Sequence, residues 1–157
     1  YKIANLFSNI KTGRKNWESA NDMYRALYES YEQGLKLYNA VDFDDLIMLP
    51  IRLFHEHPDV LAKYRSRYTY IMVDEFQDTN EAQMRLLHLL TDYDDQPNLM
   101  VVGDDDQAIY RFQGADIGNI QTFTRRYPKL RQVNLQTNYR SGTAIIKLAE
   151  QVISPSA

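Results

Sequence analysis

The sequence predicts an α/β protein, in which a partial parallel sheet flanked by helices follows an all-helical segment. Three observations lead there. Short β-rich runs recur at 69–73, 98–102 and 131–135. Helical patterns follow each of them, at about 80–90, 116–127 and 141–152. Before residue 67 the periodicity is helical throughout. Near-continuous apolar strands separated by helices imply a parallel sheet covered on both faces. The expected division is a helical subdomain at 1–67 and an α/β unit at 68–157.

Residues 1–16 end in Lys11-Thr12-Gly13-Arg14-Lys15-Asn16, read as a solvated basic loop rather than a phosphate contact. A long helix is expected from Trp17, with Ala20, Tyr24, Leu27, Tyr31, Leu35 and Tyr38 forming one apolar stripe that Gly34 weakens locally. Asp42 is expected to cap the next helix, with Phe43, Leu46, Ile47, Pro50 and Ile51 inward. Asp42, Asp44 and Asp45 could suggest a metal site. On a helix, however, Asp42 and Asp45 lie three apart while Asp44 points elsewhere, so capping and first-turn dipole roles explain them better. His55, His57 and Pro58 mark a turn, and the HxH spacing has no partner cluster for zinc. A helix from about Asp59 to Arg67 then leads into the first strand. Beyond it, Leu86, Leu87, Leu89 and Leu90 form the expected inner face of one helix, and Ile117, Ile120, Phe123 and Thr124 that of the next.

Composition removes several classes of function. The 157 residues are 44% hydrophobic and 25% charged, as in ordinary folded domains. No stretch approaches the roughly 18 apolar residues needed to cross a bilayer, so no membrane partner is expected. No signal-peptide pattern opens the chain, and it has no cysteine. Disulfides and thiolate metal sites are excluded, and a cytoplasmic location is the expectation. A net charge of −3 means that any DNA contact must be local and geometric rather than global.

Ligands of open parallel sheets collect beyond the carboxyl ends of the strands. The first predicted strand ends in Asp74-Glu75, the second in Gly103-Asp104-Asp105-Asp106-Gln107, and the third in Asn138-Tyr139-Arg140-Ser141. Carboxylates, a glutamine and an arginine are thus expected along one edge. These are the components of phosphoryl transfer to water: an acid on Mg2+, a water-orienting group, and a cation facing the γ-phosphate. Each tripeptide alone could be a helix cap; three at successive strand ends are harder to explain that way.

These segments also resemble a known family. Val73-Asp74-Glu75-Phe76-Gln77-Asp78-Thr79-Asn80 is similar to motif II of superfamily 1 DNA helicases of the UvrD/Rep/PcrA type. The run from Gly103 through Gln107, Tyr110, Phe112 and Gln113 to Ala115 resembles their motif III, and Leu135 to Ser141 their motif IV. Asp42-Phe43-Asp44-Asp45-Leu46 resembles the return from the family's helical insertion into the motor core. The resemblance covers nearly the whole chain and implies a partial RecA-like motor domain.

It also implies roles. Asp74 would hold Mg2+, with Glu75 beside it orienting or deprotonating the attacking water. Gln107 would sense the γ-phosphate of ATP, Arg140 would neutralise its charge, and Tyr139 would stack on the adenine. Tyr110, Phe112 and Gln113 would lie along the path of single-stranded DNA, where base-on-aromatic stacking contributes roughly 1–3 kcal/mol per base. Phe112 stands where the family often has tryptophan, Gln113 where arginine is common, and Ala108 where serine is frequent. No G-x-x-x-x-G-K-[ST] occurs in these residues, so the phosphate-cradling half of the site is missing from them.

The expectation is a central excerpt of an ATP-dependent, 3′-to-5′ helicase or translocase acting on single-stranded DNA and DNA junctions in repair or replication. The excerpt alone is expected to be inactive and to self-associate through an uncovered sheet edge or face. Two alternatives account for parts of the pattern: a metal-dependent nuclease using Asp74, Glu75 and Asp104–Asp106, and a non-catalytic single-stranded-DNA-binding module.

Overall fold

The apolar runs Ile71-Met72-Val73 and Leu99-Met100-Val101 form two three-residue strands, β1 (Ile71–Val73) and β2 (Leu99–Val101), in which the outer two residues are half-buried and the central methionine is exposed. They pair in parallel, Ile71 opposite Leu99 and Val73 opposite Val101. The computed structural model describes residues 2–16, 21–93, 97–104, 107 and 119–153. Within these, the order is α1 (Lys2–Lys11), α2 (Asp22–Leu37), α3 (Asp45–Glu56), α4 (Pro58–Arg67), β1, a 3-10 turn (Phe76–Asp78), α5 (Glu81–Thr91), β2, α6 (Asn119–Arg126) and α7 (Thr143–Ile153).

Ile71, Val73, Leu99 and Val101 pack on a cluster of Phe76, Leu87 and Phe123, joined by Met84, Tyr127 and Leu130. Phe76 is fully buried and meets the Phe123 ring edge-on at 5.2 Å. Burying such a side chain stabilises the fold by about 1.5–3 kcal/mol. The helix between the strands starts where its sequence demands. The Asn80 side chain accepts from Gln83 N–H while the Gln83 side chain accepts from Asn80 N–H, a reciprocal cap. Its far end is held by Arg65 of α4, whose Nε and Nη2 both donate to the Leu89 carbonyl at 2.9 and 2.6 Å. Helices α3, α4 and α5 pack on one another, with Ile51, Phe54 and Leu61 buried among the α3 and α4 residues.

Several expectations are corrected. Residues 131–138 form no strand; Val133 and Leu135 are 68% and 87% exposed. The β-propensity of this run had no ladder or covered face to act on, and propensity stabilises a strand only through such packing. Among the described residues the sheet is covered on one face only, with Met72 and Met100 exposed on the other. Phe43 and Leu46, expected inward, are 89% and 57% exposed: the helix begins at Asp45, leaving Phe43 on a turn and Leu46 on the open side of the first turn. Thr124 is exposed, whereas Phe123 beside it enters the core. Helix α2 begins at Asp22 rather than Trp17: Asn21 is extended and caps it, its side chain accepting from Met23 N–H, and Tyr38 of the expected stripe lies past its end, exposed. Ile117 and the Ile120 side chain lie outside the described residues, as do Trp17 and Ala20.

The expected basic loop at 11–16 begins inside a helix. Lys11 is the last residue of α1, and its Nζ lies 2.9 Å from Glu32, 2.9 Å from Asp42 and 2.8 Å from Asp45. Asp42 and Asp45 also bond each other's backbone: Asp45 N–H donates to Asp42 Oδ1 and Asp42 N–H to Asp45 Oδ2. The N-cap of α3 is Asp44, not Asp42 as expected; Asp42 holds the first helical residue, Asp45, by this bond, while its other oxygen accepts from Lys11 and from Tyr31 Oη. Burial alone would lower the Lys11 pKa, but the hydrogen bonds to Asp45, Asp42 and Glu32 outweigh it and raise the ammonium above its ordinary value. Burial, then the hydrogen bond to Asp42 and its charge, push Tyr31 up to about 12 against the opposing charge of Lys11.

Candidate functional site

The parallel ladder continues past both strands. Val102 N–H donates to the Val73 carbonyl and Phe76 N–H to the Val102 carbonyl, at 2.8 and 2.9 Å. These bonds bring the carboxyl ends of β1 and β2 side by side. Asp74 and Glu75 leave the first end and Gly103-Asp104 the second, all of them exposed. The Asp74 carboxylate accepts from Glu75 N–H at 2.9 Å. Glu75 adopts a left-handed backbone, φ 50° and ψ 42°, at the entrance to the 3-10 turn. For a residue with a Cβ this conformation is strained by the order of 1 kcal/mol.

Gln77 joins the two ends. It is 3% exposed. Its Nε2 donates to Glu75 Oε2 at 2.8 Å, and its Oε1 accepts from Asp104 N–H at 3.1 Å. Gln107 Nε2 then donates to Asp104 Oδ2 at 2.6 Å. Gly103 permits this approach: a Cβ there would lie 2.8 Å from Gln77 Oε1 and 3.3 Å from Phe76 Cβ. The turn is fastened from below by Thr79, whose hydroxyl donates to the Phe76 carbonyl at 2.6 Å.

Of the sequence-predicted residues, the structure thus gathers Asp74, Glu75 and Gln107. Tyr139 and Arg140 sit on a separate turn ahead of α7, where Arg140 and Ser141 N–H both donate to Asn138 Oδ1. Tyr139 is 93% exposed there. Tyr110, Phe112, Gln113, Asp105 and Asp106 lie outside the described residues. Sequence reasoning gave no role to Gln77 or Gly103. A glutamine two residues beyond a strand-end acid carries no mark of burial, because its depth comes from a loop 27 positions away.

Among the described residues no three acids or histidines converge as a self-contained metal cage. The donor set at Asp74 and Glu75 is all oxygen, which suits a hard cation. Mg2+ keeps several waters and commonly takes only one or two carboxylates besides substrate phosphates, so the two residues fit such an ion.

In open α/β sheets, ligands collect at strand ends placed like these. The model of the UvrD/REP helicase N-terminal domain matches residues 2–128, and the chain belongs to this family. Curated relatives include proteins named ATP-dependent DNA helicase PcrA from Staphylococcus epidermidis and Staphylococcus aureus. Each is 44% identical over 155 residues, covering 96% of this chain. The chain spans about a fifth of their length, 21%. No helix among the described residues is long and apolar enough to cross a membrane.

Proposed function

We propose that these residues are the magnesium-and-water portion of the ATPase site of a DNA helicase, set in a partial RecA-like motor domain. The observation that carries this reading is the bridging of Asp74-Glu75 and Asp104-Gln107 across the ends of two paired parallel strands. Asp74 would hold Mg2+, which when bound supplies positive charge to the phosphates. Glu75 orients the attacking water and accepts its proton; a carboxylate has lone pairs enough to accept from Gln77 and from a water together. Gln107 donates toward the γ-phosphate side of the edge. Arg140 would contribute a cation toward the γ-phosphate and Tyr139 a face for the base. Tyr110, Phe112 and Gln113 serve the single-stranded DNA path. The division at residue 67 separates a helical insertion from the motor.

The whole protein, on this reading, couples ATP hydrolysis to 3′-to-5′ movement on single-stranded DNA and at DNA junctions, in the cytoplasm and in repair or replication. The 157 residues alone lack a phosphate-cradling lysine loop and do not turn over ATP. Their uncovered face, Met72 and Met100, favours self-association in isolation.

The test is strand separation by the full-length protein on a duplex with a 3′ single-stranded tail. Unwinding that requires Mg-ATP is expected. Cleavage of the DNA with Mg2+ and no nucleotide would replace this reading with that of a nuclease. Single-stranded DNA binding indifferent to ATP would reduce it to a binding module.

A further inference from the structure

The buried amide between the two strand ends has a role of its own. Glu75 is exposed and its backbone is strained, so its carboxylate is poorly fixed by its own position. The bond from Gln77 Nε2 fixes it, and Gln77 is in turn fixed by burial and by Asp104 N–H. The amide's orientation is dictated by chemistry: a carboxylate can only accept and a backbone N–H can only donate, so Nε2 must face Glu75 and Oε1 must face Asp104.

We propose that Gln77 is a positioning residue that sets the Glu75 carboxylate and ties it to the Asp104–Gln107 turn. The inference rests on the reading of Glu75 as the group that orients water. A shift of the turn at Gln107 is transmitted through Asp104 and the Gln77 amide to Glu75, so the two strand ends respond as one. Gly103 is part of the device, since its missing side chain is the space that Gln77 Oε1 occupies.

The test compares Gln77→Leu, Gln77→Glu and Glu75→Gln in the full-length protein. Gln77→Leu removes both bonds. Gln77→Glu keeps an acceptor for Asp104 N–H, but sets a carboxylate against Glu75. Both should lower the kcat for DNA-stimulated ATP hydrolysis by roughly 10- to 100-fold, the usual scale for a misplaced reacting group, with KM for ATP within about twofold of the parent. Without nucleotide, amide hydrogen exchange at Asp104 should accelerate about tenfold in Gln77→Leu and stay near the parent rate in Gln77→Glu. Unchanged exchange in Gln77→Leu, or a raised KM with kcat intact in both variants, would overturn the proposal. If Glu75→Gln abolishes turnover and the Gln77 variants do not slow it, the positioning role fails by itself. If Glu75→Gln turns over ATP normally, the ATPase reading fails and takes the positioning role with it.

Discussion

Two acidic groups in this molecule use the same chemistry to opposite ends. In the helical part, Glu32, Asp42 and Asp45 surround the Lys11 ammonium, whose side chain is only 8% exposed. At the strand ends, Asp74 and Glu75 are exposed and are held by amides: the Glu75 backbone N–H and the Gln77 side chain. Among the described residues no cation lies within ion-pair distance of Asp74 or Glu75. A carboxylate neutralised inside the protein fastens elements together. One held in place by neutral donors keeps its charge available for a metal ion or a water. Proximity of acids in sequence therefore did not separate the two cases; the source of the countercharge did.

The contrast can be broken most forcefully at Lys11. Lys11→Met leaves three carboxylates facing one another, and the helical part should lose about 2–3 kcal/mol by denaturant unfolding. This is somewhat below the cost of breaking a fully buried pair, since Glu32 and Asp42 are 28% and 22% exposed. Stability equal to the parent would show that the cluster fastens nothing. A smaller effect is expected at the other region. Gly103→Ala places a Cβ against the Gln77 amide and the Phe76 side chain, and should destabilise by about 1–2 kcal/mol while slowing ATP turnover in the full-length protein. An alanine variant with both properties intact would remove Gly103 from the device.

The smallest expected effect is in pH dependence, and it sharpens the contrast. Burial would raise the Asp42 pKa, but Lys11, the Asp45 amide and Tyr31 outweigh it and hold the group below its ordinary value of 3.8. The unfolded state then binds the proton more readily. The contribution is complete above the ordinary carboxylate value and is lost as pH falls through the depressed folded value. Lys11 acts oppositely: its raised pKa gives a contribution that is complete below 10.5 and is lost only at more alkaline pH. Urea unfolding between neutral and acid pH should show a shallower acid limb in Asp42→Asn than in the parent. Identical limbs would mean that Asp42 is not linked to folding.

Much of this was legible in the sequence because it is local. The strands at 71–73 and 99–101, the helix that starts near Asn80 and the helices around Ile51 and Leu61 follow from residue types and spacings within a few positions. What sequence missed depends on distant partners. Lys11 meets Asp42 across 31 positions, and Gln77 meets Asp104 across 27. The run at 131–135 has strand-like residues, but a strand needs a neighbour, and local composition does not report one.

The account stands most directly on one comparison in the full-length protein, Glu75→Gln against Asp45→Asn. DNA-stimulated ATP turnover and thermal unfolding are measured for both. Glu75→Gln should lose at least about 100-fold in turnover, as expected for a group that activates water, with its unfolding temperature unchanged. Asp45→Asn should unfold at lower temperature, with turnover at permissive temperature equal to the parent. The reverse pattern, an active Glu75→Gln and a folded but inactive Asp45→Asn, would contradict the assignment of the two acidic groups.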